Sequence, residues 1–134
     1  YTCHSVALAA ADQTLEILDE TDALDTIATS GEALQEGMIR SLDARGIPHS
    51  FTGHPSMGGL FFNENAPGNY RDWLDSDYSF YDTMAPELHD LGVLCEPDSR
   101  EPWFICESHA KDNSLEQTLA AFEQAVDITI DKVK

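Results

Sequence analysis

Lys111, Lys132 and Lys134 are the only lysines available to form an imine with a carbonyl compound. Such chemistry needs an amine whose pKa is depressed by an apolar setting. None of the three has one. Lys132 and Lys134 lie at the chain's frayed end, and Lys111 lies in a polar turn. No catalytic residue is assigned. His49 and His54 are five residues apart across a turn, with Asp98, Glu101 and Glu107 as further donors. A metal site needs convergent ligands held by their own partners, and a loose hairpin does not supply them, so no metal is expected. There is no Gly-x-Ser-x-Gly nucleophile elbow and no phosphate-cradling glycine loop. Cys3, Cys95 and Cys106 are unpaired in spacing, so reduced, mostly buried thiols are expected, with Cys106 inert in a buried strand. His109 fits a capping or hydrogen-bonding task. Trp73, Tyr78, Phe80 and Tyr81 read as core packing or an interface.

These side chains must be positioned by a modest set of elements. A helix is predicted over 6–18 with Ser5 as its cap, its small alanines suited to close packing. A second runs over 22–44, with Leu24, Ile27, Leu34, Met38 and Leu42 as its apolar stripe. Arg45-Gly46 closes it and Pro48 bars its continuation. Strands over 49–52 and 57–62, with a turn at 53–56, form a hairpin. Residues 65–69 form a loop. A short helix covers 70–74 and a longer one 77–91, which Pro86 should kink or shorten. Short strands are predicted over 93–95 and 103–107. The last helix spans 114–133, with Ser114 and Gln117 as a capping box. The whole, 1–134, reads as one α+β domain, helices covering one face of a small, largely antiparallel sheet.

The chain has 134 residues, with seven Lys and Arg against 25 Asp and Glu, a formal net charge of −18. That surface repels nucleic acid and anionic membranes, because both are bound through Lys and Arg. No apolar run approaches the roughly 18 residues of a membrane span. No signal peptide is visible, and reduced thiols are the default of a cytoplasmic protein, which is the expected location. The first residue, Tyr1, points to a processed chain or a piece of a longer one.

Four stretches carry a resemblance to the C-terminal third of the class III pyridoxal-phosphate-dependent aminotransferase family, and within it to the glutamate-1-semialdehyde 2,1-aminomutase branch. Thr2-Cys3-His4-Ser5-Val6-Ala7-Leu8-Ala9-Ala10 resembles that family's Ser-Gly-Asn-Pro and alanine-rich helix. Ser56-Met57-Gly58-Gly59-Leu60-Phe61-Phe62 resembles its Gly-Ser-Met-Phe strand. Asn69-Tyr70-Arg71-Asp72 with Ser76-Asp77 resembles the link to the next helix. Gly92-Val93-Leu94 to Pro97, then Phe104 to His109, resembles its proline strand and Ser-x-x-His segment.

The resemblance implies a small domain closing the active site of a larger fold-type-I enzyme. Residues 1–20 would be the helix joining the two domains. The cofactor would be pyridoxal phosphate in the parent enzyme, held by a lysine of a separate large catalytic domain. None is expected on this chain alone, which would be inactive by itself. A homodimer is implied as well. Glu101 matches the family's glutamate at the substrate pocket and is the candidate substrate-binding residue. Thr2 matches a serine just after the family's phosphate-contacting Gly-Thr pair and is the candidate cofactor contact. The arginine by which many class III aminotransferases grip a carboxylate has no counterpart in 103–107, which agrees with the aminomutase-like branch. Arg100 stands where that branch has an aromatic residue, and Cys3-His4-Ser5 replaces Gly-Asn-Pro. The alternative is a stand-alone, non-catalytic binding or oligomerisation module with the same fold. In an isolated domain, the alanine-rich start of the first helix would be an exposed apolar surface.

Overall fold

The computed structural model describes residues 4–134. Cys3 and the candidate cofactor contact Thr2 lie outside the described residues. Two helices open the fold. The first, α1, is Ser5–Glu20, and its cap is His4 rather than Ser5: the His4 Nδ1 accepts from the Ala7 amide at 3.1 Å. An imidazole nitrogen thus does the work usually given to a hydroxyl or carboxylate. The second, α2, is Ala23–Asp43. It stops as its sequence demands. Gly46 takes φ +64°, a conformation open to glycine at little cost. The Gly46 amide then reaches the Asp43 carbonyl at 3.0 Å, and Ile47 reaches Leu42 at 3.1 Å.

The sheet has three antiparallel strands in the order β1-β2-β3. They are Ser50–Thr52 (β1), Met57–Phe61 (β2) and Trp103–Phe104 (β3). Phe51 faces Leu60 across the hairpin, and Gly58 faces Trp103 on the other side. The α+β class therefore holds, with one strand fewer than the sequence predicts. Residues 93–95 are not a strand. Their backbone turns away after the Val93 amide bonds to the Leu88 carbonyl at 2.9 Å. β3 is also short, because Glu107–Ala110 winds into a 3-10 helix.

Two short segments join the sheet to the remaining helices. Helix α3 is Tyr70–Leu74, capped by Asn69, whose side chain accepts from the Arg71 and Asp72 amides. Helix α4 is Tyr78–Asp90, capped by Asp77. Pro86 does not shorten it; the helix runs unbroken through that residue. The last helix, α5, is Ser114–Val133. The expected capping box of Ser114 and Gln117 is absent. Asp112 instead accepts from the Ser114 amide and hydroxyl.

The core lies where α2, α4 and α5 meet β2 and its continuation. Leu34, Met38 and Leu42 come from α2, Tyr81, Met84 and Leu88 from α4, Phe122 and Val126 from α5, and Leu60 and Phe62 from the sheet. Each such side chain contributes roughly 1.5–3 kcal/mol on full burial. Leu24, placed on the α2 stripe by periodicity, is 58 % exposed, and Val133 is 54 % exposed. The stripe begins only where α2 meets the other helices. Arg45 ties the end of α2 to α5. Its Nε and Nη2 donate to the Asp127 carboxylate at 2.6 and 2.9 Å. Helix α1 is different: it buries no residue, and Val6, Leu8, Leu15 and Ile17 all stand in solvent.

Candidate functional site

Glu101 sits on the segment that joins the end of α4 to β3. Its side chain is exposed, and its amide donates to the Asp98 carbonyl at 3.0 Å. The loop beneath it is braced at several points by aromatic side chains. The Tyr81 hydroxyl, rising from the core, donates to the Glu96 carbonyl at 2.8 Å. Trp103 Nε1 donates to that same hydroxyl at 2.9 Å. The His89 Nε2 donates to the Cys95 carbonyl at 2.7 Å. Trp73 Nε1 donates to the Ser99 hydroxyl at 2.9 Å, and Ser99 is only 3 % exposed. Loops without regular structure must find partners for their buried polar groups, and here two tryptophans, a tyrosine and a histidine supply them. Burial, chiefly, pushes the Tyr81 phenol well above its usual pKa, so it stays a protonated donor. Burial likewise pushes the Cys95 thiol up to about 11.

Asp98, Ser99 and Arg100 form the tip of this loop. The Asp98 carboxylate accepts from the Arg100 amide at 2.9 Å and from its Nε at 2.8 and 3.1 Å, and pairs with its Nη2 as well. The Arg100 side chain, first through these hydrogen bonds, holds the Asp98 carboxyl down at about 2. The Arg100 guanidinium also lies over Trp73, 5.3 Å from the ring centroid. Trp73 stacks with Tyr70 at 5.3 Å and with Tyr78 at 5.0 Å. Two open clefts flank this stack. One of about 280 Å³ is lined by Phe61, Pro67, Tyr70, Trp73 and Arg100. The other, of about 320 Å³, is lined by Trp73, Tyr78, Asp82, Pro97, Asp98 and Arg100. Glu101, which is exposed, lines neither, although its neighbour Arg100 lines both.

The other candidates fall apart geometrically. His49 donates through Nδ1 to the Ile47 carbonyl at 2.9 Å, whereas His54 Nδ1 accepts from the Ser56 amide at 3.3 Å. The described residues hold no cluster of three His, Cys, Asp or Glu suited to a metal ion. His109 caps the 3-10 helix, its Nδ1 accepting from the Cys106 amide at 3.0 Å. Cys106 is exposed, not buried in a strand, because β3 ends before it; Cys95 is partly buried. Lys111 pairs with Glu107 at 3.1 Å, Lys132 with Glu87 at 2.6 Å and Lys134 with Asp131 at 3.2 Å. All three are exposed or partly exposed, so no lysine of this chain has the desolvated setting that imine chemistry needs. The residues present therefore do not fit an anchor for pyridoxal phosphate.

The aromatic bracing was not recognised from sequence. Its signal was there: two tryptophans and a tyrosine whose polar tips need partners once buried, and an Asp-Ser-Arg run typical of a side-chain-stabilised turn.

No protein-family model matches the sequence. The fold is shared with solved enzymes. The FumI protein of Sphingopyxis sp. MTA144, solved in its PLP internal aldimine form, superposes on 96% of this chain with a TM-score of 0.79 and 26% identity. An omega-transaminase from Sphaerobacter thermophilus covers 79% of it with a TM-score of 0.66 and 24% identity, a likeness of fold. The architecture is thus one found in pyridoxal-phosphate-dependent aminotransferases. In sequence, glutamate-1-semialdehyde 2,1-aminomutase 2 of Bacillus velezensis and the aminomutase of Bacillus subtilis are each 29% identical over 119 residues. Those residues are 89% of this chain and 27% of each relative, so the chain spans about a quarter of the relatives' length. These likenesses support a C-terminal fragment of a class III pyridoxal-phosphate enzyme.

Proposed function

We propose that residues 1–134 form the small domain of a pyridoxal-phosphate-dependent aminotransferase or aminomutase, closing its active site and presenting Glu101 to the substrate. The observation that carries this reading is the braced loop over 95–101. Four side chains from three separate elements hold a segment with no regular structure, from which the Glu96 and Glu101 carboxylates stand exposed. Such rigidity suits a group that must meet a ligand in one geometry. When bound, the cofactor supplies the electron sink for amino-group transfer. This chain's part is to exclude water and place a carboxylate. Its three lysines, all solvated and ion-paired, support an anchoring lysine on a separate large domain, and so an inactive chain in isolation. Residues 1–20 would then form the interdomain helix, with a homodimer as the assembled state and the cytoplasm as its place. Among the described residues no helix is long and apolar enough to cross a membrane. Thr2 stays the candidate cofactor contact.

The test has two arms. Pyridoxal phosphate added to the chain alone should give no new absorbance band from a covalent lysine adduct. A band that disappears on mutating one of the three lysines would overturn the reading. Mixing the chain with the large domain of a relative should restore amino transfer, and Glu101→Gln should then reduce kcat. Full activity in Glu101→Gln would remove Glu101 from the site.

The exposure of most of α1 favours a second reading. A chain that acts alone as a binding or oligomerisation module would use the exposed apolar side chains of α1, Leu8 and Leu15 on one side and Val6 and Ile17 on the other. Failure to complement any large domain would favour it.

A further inference from the structure

Arg100 is the one cation on the loop over 96–101, beside Glu96, Asp98 and Glu101. An arginine next to a proposed substrate carboxylate invites one role at once: gripping an anionic substrate. The geometry argues otherwise. Nε and Nη2, the donors of the guanidinium's side-on fork, both point at Asp98, so an incoming carboxylate would have to compete with Asp98 for Nη2. The Arg100 amide is taken by the same carboxylate at 2.9 Å. One face of the guanidinium is stacked on Trp73. Trp73 is itself fixed, through its indole N–H, to the buried Ser99 between the two charged residues. The Glu101 amide closes the turn on the Asp98 carbonyl.

We propose that Asp98 and Trp73 sequester Arg100 as a clasp that fixes the loop and positions Glu101, so that the part of a substrate meeting this loop carries no carboxylate. Arg100 is then a positioning residue and not an anion grip. With its charge cancelled by Asp98, the loop presents net negative charge to a ligand, from Glu96 and Glu101. It selects for an amine substrate whose near end is neutral or cationic. The role given to Glu101 rests on the proposed function; the clasp itself does not.

The test uses this chain, with glutarate as the carboxylate probe and NMR as the readout. In the wild type, glutarate should not shift the Arg100 Nε–H resonance. Asp98→Asn frees the fork, and a saturable glutarate shift at Arg100 should appear, at least about tenfold tighter than any in the wild type. Asp98→Asn should also speed amide exchange at Arg100 and Glu101 by about tenfold, with Leu60 and Phe122 unchanged as a check on folding. Arg100→Met should give the same faster exchange with no gain of glutarate binding. Arg100→Lys keeps the charge without the fork and should restore little of the protection. A wild-type glutarate shift at Arg100 that vanishes in Arg100→Met would overturn the proposal. So would unchanged exchange in both Asp98→Asn and Arg100→Met. These results do not depend on cofactor chemistry, so failed complementation with a large domain would sink the enzymatic reading and leave the clasp standing.

Discussion

Asp98 is partly exposed, yet its carboxyl is held at about 2 because the Arg100 side chain and amide both bond to its charged form. An unfolded aspartate titrates near about 3.9. The folded value is the lower one, so the pair stabilises the fold while Asp98 is ionised. That contribution is complete above about pH 4 and is lost as pH falls from about 4 toward 2. Urea unfolding of wild type and Asp98→Asn across this range should show the two curves converging as the solution is acidified. A gap that stays constant with pH would mean the pairing gives no pH-dependent stability. Glu101 is a candidate in the sequence only through the resemblance of its place between Pro97 and Phe104 to a family pattern, and its role at a site stays a proposal. The state of Arg100 was not legible there. Asp-Ser-Arg reads as three solvated residues until the fold sets Trp73, 26 positions before Ser99, beneath them. The same limit applies to Cys106, whose exposure depends on where a two-residue strand happens to end.

At the scale of elements, the helices were the readable part, since an apolar stripe with a terminating glycine specifies both extent and inner face. The weakly patterned strands were read less well. Residues 93–95 are apolar enough for a strand, but nothing offers them a ladder to join, so they remain loop. Two glycines in α2 show what periodicity leaves out. Gly31 looks like a flaw in the helix. A Cβ there would lie 2.3 Å from the Pro55 carbonyl oxygen and 2.5 Å from its carbon. Both are backbone atoms, so the hairpin turn would have to move away. A Cβ on Gly37 would lie 2.4 Å from Leu119 Cδ2, the far end of a flexible side chain. Each substitution by Ala gains about 1 kcal/mol of helix propensity. Gly31→Ala should still be destabilising by roughly 1–3 kcal/mol, the usual range for overpacking. Gly37→Ala should fall within about 1 kcal/mol of wild type, because Leu119 can change rotamer. Thermal unfolding of the two variants side by side checks the ordering, and equal losses would contradict it.

For the whole molecule, two features oppose each other. A net charge of −18 pushes copies apart, while α1 leaves four large apolar side chains, Val6, Leu8, Leu15 and Ile17, in solvent. Helix α1 buries no residue, so the core of α2, α4, α5 and the sheet should not need it. Deleting residues 1–20 should therefore leave cooperative unfolding, with a midpoint lowered by no more than the shift of about 4 °C that corresponds to 1 kcal/mol in a domain of this size. Charge repulsion between copies acts over about 10 Å at moderate ionic strength and only about 3 Å near 1 M salt. Raising salt thus removes the repulsion and leaves the apolar attraction, which salt does not screen. Sedimentation of the full chain should shift toward a larger species as salt and protein concentration rise together. The chain lacking residues 1–20 should remain monomeric under the same conditions. If both forms associate alike, the contact lies elsewhere, on the Tyr70, Trp73 and Tyr78 stack or along the edge of β3 at Phe104. If the shortened chain fails to fold, α1 has a structural task that its exposure conceals.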